Sequence, residues 1–258
     1  MSGLNALFRK RIGIPEDEQI TFEHLDTVLE KTAKNIPFEN FCIIGNKTSE
    51  ITRESLVNKM LVKKEGGLCY ELNSILYFFL LENGFDAVLA RGVVYKNETR
   101  EYQTIGRTHV TILVVHEEQT YLVDTGFGAN LPLTPVPLTG ETVASDNGEF
   151  RIRQVDSEHG DYVLEMKLKH KDADWRIGYA FDSKHPVTDV SEWNEIQRII
   201  AEHEDSPFNK SPLITKITDQ GNITLTNTSF TQWRDGVVTK EKIDDARFKE
   251  LLKQYFGL

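Results

Sequence analysis

The sequence predicts an α+β fold in three successive parts, and the spacing of its apolar residues is what predicts it. Up to about residue 85 they recur at intervals of three and four; from Ala87 to Phe181 they alternate; after His185-Pro186 the helical spacing returns, followed by short alternating runs. The boundaries expected on this basis are a helical unit over residues 1–85, a β unit over 86–187 and a mixed α/β unit over 188–258. No internal repeat, low-complexity tract or flexible linker interrupts the chain, so the three parts are expected to pack together.

In the helical unit, Phe22, Leu25, Val28 and Leu29 line one side of a helix from Thr21 to about Lys34. Asn35-Ile36-Pro37 ends it, because the residue before a proline is held out of the helical region. Pro37 to Phe41 reads as an extended turn. Thr52 reads as the N-cap of a second helix carrying Leu56, Val57, Met60 and Leu61 on its apolar side. A third helix starts near Cys69, runs through Leu72, Ile75, Leu76, Phe79 and Leu80, and stops at Asn83-Gly84. Strands are expected over Ala87–Val94, Thr108–Val115, Tyr121–Asp124, Arg151–Val155, Tyr162–Lys169 and Trp175–Phe181, with loops over Lys96–Arg107 and Leu131–Leu138. Val190, Trp193, Ile196, Ile199 and Ile200 mark a helix introduced by Asp189 or Ser191 and broken by Asp205-Ser206-Pro207-Phe208. Leu213–Ile217, Asn222–Asn227 and Gly236–Thr239 suggest a small sheet, and Ile243, Phe248, Leu251, Leu252 and Phe256 a closing helix.

The 258 residues carry 40 acidic and 30 basic side chains, a net charge of −10, which opposes a sequence-independent grip on nucleic acid or on an anionic membrane. An anionic cofactor then needs a local basic patch or helix N-termini acting against the overall field. The two cysteines, Cys42 and Cys69, show no zinc-ligand spacing and form no disulfide framework, as suits a reducing compartment. Met1 opens a polar segment rather than an apolar secretory core, and no apolar run is long enough to cross a bilayer, so a cytoplasmic protein is expected.

Chemistry concentrates at Cys69. Gly66-Gly67 precede it, and glycines there permit unusual backbone angles and a close approach of substrate to the main chain. The positive end of the following helix favours thiolate over thiol. A free cysteine is more often a small buried hydrophobe, so a nucleophile needs a base and a group to orient that base. His109 and Asp124 supply both across a hairpin. With the turn centred between His116 and Glu117 they lie directly opposite each other, close enough for a carboxylate–imidazole hydrogen bond. Asp124 then fixes the ring tautomer and stabilises the imidazolium formed when Cys69 loses its proton. Cysteine, histidine and orienting residue in that chain order also occur in papain-like enzymes. The other histidines, His24, His116, His159, His170, His185 and His203, lie among polar residues with no ligand spacing, so no metal is expected. Cys42 reads as packing; Tyr70 and Glu71 read equally well as catalytic neighbours or as helix surface.

Several stretches in this order resemble the arylamine N-acetyltransferases: Ile36-Pro37-Phe38-Glu39-Asn40, Gly66-Gly67-Leu68-Cys69-Tyr70-Glu71-Leu72-Asn73, Arg107-Thr108-His109 and Tyr121-Leu122-Val123-Asp124-Thr125-Gly126-Phe127-Gly128. Ser206-Pro207-Phe208 and the terminal Leu251 to Leu258 extend the resemblance over nearly the whole chain. It implies an N-terminal helical bundle (1–85), a central β-barrel (86–187) and a C-terminal α/β lid (188–258) around a papain-like or transglutaminase-like cysteine enzyme core. It also implies ping-pong acetyl transfer from acetyl-coenzyme A to an arylamine, arylhydrazine or N-hydroxyarylamine. In that scheme Cys69 is the nucleophile, His109 the base and Asp124 its orienter. Phe38 and Phe127 line the acceptor pocket, and Gly126 and Gly128 lie along the path of the pantetheine arm. One departure stands out: the family usually has arginine before the glycine pair, where this chain has Glu65. Glu39 and Glu65 would then be like charges, with Lys64 available to compensate. Three other readings share some of these features: an amide synthase using the triad on a carrier-bound acyl chain, a cysteine protease or transglutaminase, and a non-catalytic relative that binds aromatic ligands.

Overall fold

A computed structural model describes residues 3–258; Met1 and Ser2, the first residues of the polar opening segment, lie outside the described residues. The rest of that segment is a helix the spacing argument passes over, α1 (Gly3–Ile12). Its apolar stripe is Leu4, Phe8 and Ile12, all buried, with Leu7 packed partly against the same core. A 3-10 turn (Phe22–His24) leads into α2 (Leu25–Asn35), which stops just before Ile36-Pro37. The stretch read as an extended turn is β1 (Phe38–Glu39) and the single-turn α3 (Phe41–Ile44). Thr52 does cap α4 (Arg53–Leu56), its hydroxyl accepting the Ser55 N–H, and the chain continues as a π turn over Val57–Val62. The third helix is α5 (Cys69–Glu82), buried on nearly every side because helices flank it on one face and the sheet on the other.

The middle of the chain is one antiparallel sheet. Its strands are β2 (Asp86–Lys96), β3 (Glu101–Tyr102), β4 (His109–His116), β5 (Gln119–Val123), β6 (Val136–Pro137), β7 (Val143–Ser145), β8 (Gly148–Ser157), β9 (Gly160–Leu168) and β10 (Arg176–Phe181). They run in the order β6-β5-β4-β2-β10-β9-β8-β7, with β3 paired to β2. Because β6 comes back against β8, the sheet nearly closes into a barrel, filled by Leu113, Leu122, Phe150, Ile152 and Leu164. The opposite face of β2 and β4 presents Leu89, Val110, Ile112 and Val114 to the cluster that holds α5. This sheet face is what seats the Cys69 helix against the strand that carries His109.

The hairpin register differs from the sequence expectation. His116 pairs with Gln119 and Ile112 with Val123, so the turn is Glu117-Glu118 and His109 is not directly opposite Asp124. Both turn residues have left-handed backbones, φ 47° and 64°, as a two-residue type I′ connection demands. The register therefore moves by two positions along β5. A side chain's face alternates with every residue, so a shift of two leaves His109 and Asp124 on one face as diagonal neighbours, still within reach of each other.

After the barrel, Asp189 caps a 3-10 turn (Val190–Glu192) that leads into α6 (Trp193–Glu202). Trp193, Ile196 and Ile200 join the same core cluster as α5, and the indole N–H of Trp193 donates to Ser74 Oγ at 2.8 Å. The second sheet is β11 (Leu213–Thr218), β12 (Gly221–Thr226), β13 (Ser229–Arg234) and β14 (Val237–Lys242), with β1 completing it beyond β11. β13 has no counterpart among the expected strands. The closing helix α7 (Asp245–Phe256) covers the sheet, Leu251 packing over Ile214, Leu225 and Phe230, while Ile243 lies just ahead of it. Through the β1–β11 pairing, Pro37 to Glu39 is built into the last part of the chain. Among the described residues no helix is long and apolar enough to cross a membrane.

Placing two glutamates in the left-handed region is strained, and replacing Glu117-Glu118 with Asn-Gly removes that strain without touching the core. Equilibrium urea unfolding of the double variant is expected to show a gain of about 1 kcal/mol.

Candidate active site

Leu68 is the N-cap of α5 and Cys69 its first residue, so the thiol stands at the helix end where backbone N–H groups have no intrahelical acceptor. The Leu68 N–H donates to Glu71 Oε2 at 3.0 Å, which ties the cap to the first turn. Cys69 Sγ lies 3.5 Å from the Thr108 carbonyl, one residue before β4. On that strand, His109 Nε2 is 2.8 Å from Asp124 Oδ2, and the Cys69 side chain lies near enough to the ring to raise its pKa. With Nε2 committed to the carboxylate, Nδ1 is the ring atom left for the sulfur. The structure therefore brings Cys69, His109 and Asp124 together, at 6, 3 and 1 % exposure, out of bulk water.

Asp124 accepts more than the imidazole. Asn73 Nδ2 donates to its Oδ1 at 2.8 Å and the Gly126 N–H to the same oxygen at 2.7 Å, while the Tyr179 hydroxyl donates to Oδ2 at 2.7 Å. Burial alone raises a carboxyl's pKa, but the His109 charge and hydrogen bond, with those of Asn73 and Gly126, hold Asp124 below its ordinary value. Burial likewise opposes the imidazolium, yet the Asp124 charge and hydrogen bond push His109 up to about 10. Burial and Asp124 raise the Tyr179 phenol well above its usual range, so it remains a donor.

The sequence reading gives neither Asn73 nor Tyr179 a part in the site. Asn73 sits four residues after Cys69, on the same helical face, and a fully buried amide there was the available signal. Tyr179 comes from β10, and its partner lies 55 positions away, so local spacing carries no sign of it.

The glycine pair acts differently from expectation. Neither Gly66 nor Gly67 has a left-handed backbone; that conformation falls on Lys64, with φ 61°. A Cβ on Gly66 would come within 2.1 Å of the Pro37 carbonyl oxygen, and one on Gly67 within 2.8 Å of Glu71 Oε2. The glycines thus admit the protein's own strand: the Glu39 N–H donates to the Gly67 carbonyl at 3.0 Å and the Gly67 N–H to the Pro37 carbonyl at 3.2 Å. The charge beside them is balanced by Lys59 from the π turn, not by Lys64. Its Nζ is 2.6 Å from Glu71 Oε1 and 3.7 Å from Glu39 Oε1. Burial opposes the lysine's charge, but Glu71 and Glu39 outweigh it and raise its pKa. One cation serves two buried carboxylates, so burial, against the pull of the more distant Lys59, leaves Glu39 raised.

A cleft of about 320 Å³ opens over Cys69 and His109. Phe38 and Phe127 both line it, with Val94, Ile200, Phe208 and Leu213 making most of the remaining apolar wall. The Phe38 ring meets Phe208 edge-on at 5.5 Å, and Phe127 meets the His109 ring at 5.2 Å. Gly126 and Gly128 lie on its wall. A Cβ on Gly126 would come within 2.6 Å of Cys69 Cα, so that glycine lets the loop after β5 close on the nucleophile's backbone. At Gly128, which has φ 63°, a Cβ would meet only Thr215 at 3.8 Å, leaving room for a slender chain such as a pantetheine arm.

The family model described as N-acetyltransferase matches residues 21–258. The chain is similar to an uncharacterised acetyltransferase of Bacillus subtilis, 40% identical over 242 residues and covering 93% of each chain. It is also similar to the solved arylamine N-acetyltransferase C of Bacillus anthracis, 39% identical with a TM-score of 0.94, covering 100% of this chain and 99% of that one. An arylamine N-acetyltransferase from Bacillus cereus, reported with a unique Cys-His-Glu catalytic triad, is 40% identical with the same TM-score and the same coverage. In this chain the buried carboxylate that holds the His109 ring is Asp124.

Two outcomes are expected. The ring's folded pKa of about 10 lies above its ordinary 6.5, so the stability this contributes is fully present below pH 6.5 and is lost as pH rises towards 10. Asp124→Asn removes the carboxylate and leaves burial opposed only by the lesser pull of Cys69, so in ring-labelled NMR His109 should be protonated at pH 7 in the wild type and neutral in the variant. The gap between their melting temperatures should narrow from pH 6.5 to 10. Lys59→Met leaves two buried carboxylates facing each other and should lower unfolding stability by about 3–5 kcal/mol, with Lys59→Arg recovering part of it.

Proposed function

The chain belongs to the arylamine N-acetyltransferase family, and we propose that Cys69, His109 and Asp124 carry its reaction. The protein transfers an acetyl group from acetyl-coenzyme A to an arylamine, arylhydrazine or N-hydroxyarylamine. One observation supports this assignment above the others: a cysteine at a helix N-terminus touches an imidazole whose far nitrogen is held by a buried carboxylate at 2.8 Å, beneath an apolar cleft.

The steps follow from that arrangement. His109 already holds the proton drawn from Cys69, and the sulfur attacks the acetyl carbonyl carbon of the coenzyme thioester. The bond from that carbon to the coenzyme's sulfur then breaks, and the imidazolium returns the proton to the departing thiolate, leaving an acetyl-thioester on Cys69. An amine next attacks the same carbon, gives its proton to His109, and the bond to Cys69 sulfur breaks. Each attack places negative charge on the carbonyl oxygen, which the Cys69 N–H at the start of α5 is positioned to receive. Asp124 stays ionised throughout and keeps Nε2 engaged, so Nδ1 remains the working nitrogen.

An arylamine is a weak base and is neutral near pH 7, so an acceptor site needs aromatic walls more than a carboxylate. Phe38 and Phe127 supply such walls, reinforced by Phe208. A free thiol as nucleophile and a coenzyme thioester as donor suit the reducing cytoplasm.

Mass spectrometry of intact protein mixed with acetyl-coenzyme A should show one added acetyl group, mapped by peptide digestion to Cys69 and discharged by an aminobenzoate or a hydrazide. Cys69→Ala should take up none and lose turnover by about 10⁴-fold or more. Turnover retained in that variant refutes the assignment.

A further inference from the structure

The acidic balance of this chain poses a question that the catalytic residues leave open: what receives the several negative charges of the coenzyme's phosphates? The turn between β9 and β10 stands out. With Lys167 at the end of β9, it brings three lysines and a histidine together within Lys167-Leu168-Lys169-His170-Lys171, and Lys169, His170 and Lys171 are exposed. Lys171 lines the cleft that contains Cys69, and it also lines a second cavity, of about 170 Å³, together with Lys169 and His170. Lys171 and Ala129 are common to both, so the turn stands where the catalytic cleft meets its neighbour.

Three of the acidic groups near this junction are already engaged. Glu30 and Asp219 pair with Lys34 at 2.5 and 2.6 Å, and Asp172 pairs with Arg176 at 3.2 Å. Among the described residues neither Lys169 nor Lys171 makes an ion pair. Apart from His109, Lys171 is the ionisable cationic side chain on the catalytic cleft. The second cavity adds Trp233, a flat apolar surface, and the side chains of Asp146 and Asp235, which would repel a phosphate and accept hydrogen bonds from a nucleoside.

We infer that Lys169 and Lys171 form the phosphate subsite for the acyl donor, gripping the coenzyme's nucleotide end at the rim while its thioester reaches Cys69. The inference rests on the acetyl-coenzyme A reading above and deepens it. In this arrangement the lysines at the junction meet the phosphates, while Asp146, Asp235 and Trp233 of the same cavity meet the uncharged adenosine. A carboxylate-bearing acceptor held by Lys171 is the competing use of the same cation, and ping-pong kinetics separate the two because kcat/KM for the donor and for the acceptor each report only that substrate's half-reaction, so both ratios are read with the KM values.

The test is calorimetric binding of coenzyme A, 3′-dephospho-coenzyme A and pantetheine to the wild type and to the Lys169→Gln/Lys171→Gln variant, with donor and acceptor KM measured alongside. Both residues are exposed, and a melting curve checks that the variant is folded. Coenzyme A affinity should fall about ten-fold and the donor KM should rise in step, with pantetheine binding and the aminobenzoate KM unchanged. A smaller loss for 3′-dephospho-coenzyme A than for coenzyme A assigns part of the grip to the 3′-phosphate. Equal coenzyme A affinity in both proteins overturns the inference alone, as does an equal loss for pantetheine or a rise confined to the acceptor KM. No coenzyme A binding by the wild type overturns both the inference and the acyl-donor reading beneath it.

Discussion

Four donors converge on one buried carboxylate. Asp124 takes hydrogen bonds from the His109 ring on β4, the Tyr179 hydroxyl on β10, the Asn73 amide on α5 and the Gly126 N–H in the loop after β5. An ionised carboxylate without such partners would be too costly to bury, so the four groups must arrive together for the site to exist. Their arrival fixes where the barrel lies against the Cys69 helix. Asn73 makes the link explicit, because it also donates to the Val110 carbonyl and accepts the Thr125 N–H. A single amide thereby connects the nucleophile's helix, the base's strand and the orienter's loop.

The opposite side of Cys69 is built on the same principle with the signs reversed. There one cation, Lys59, stands between Glu71 of α5 and Glu39 of β1. Glu39 also accepts the Phe41 N–H at 2.5 Å, and β1 is an edge strand of the second sheet. The Cys69 turn is consequently clamped between a strand belonging to the last part of the chain and the π turn of the first. Asn40 continues the clamp by donating to the carbonyls of Phe208 and Ser211. The aromatic wall over the thiol, Phe38 with Phe208, is thus held by the hydrogen bonds that hold the turn.

Much of this was legible in the chain, for identifiable reasons. The Cys69 helix and the strands around His109 and Asp124 carry strong periodicity, and side-chain parity in a strand survives a register shift of two. The partnership was therefore readable even though the turn is Glu117-Glu118, which lacks the usual glycine signal. What escaped depends on distance in sequence. Tyr179 reaches Asp124 from another strand, and α6 packs with α5 through Trp193, across the boundary at residue 188 expected from the change of period. Glu65 in place of arginine was visible as a departure, but the replacement cation lies six residues earlier in a π turn. The extra residue in such a turn changes which side chain faces inward, and neither helical nor strand spacing anticipates it.

The distribution of charge then explains how one small cleft can serve two dissimilar substrates in succession. Next to the sulfur, His109 and Asp124 are buried and paired with each other, so a neutral aromatic amine meets apolar walls and a desolvated ring. Inside such a site the attraction between imidazolium and sulfur anion is stronger than it would be in water, and water itself is a poor competitor for the thioester. A polyanion is disfavoured beside the sulfur, because the one cation there, the His109 ring, is already held by Asp124. It can approach only with its thioester inward and its phosphates outside, where the chain's negative field must be offset locally. The Lys169 to Lys171 turn sits at that margin, outside the closed hydrogen-bond set of Asp124 and adjoining the mouth it must guard. Keeping the charged anchor apart from the reacting atoms lets the coenzyme leave without disturbing the acyl group, so the amine can enter a site still set for the second transfer.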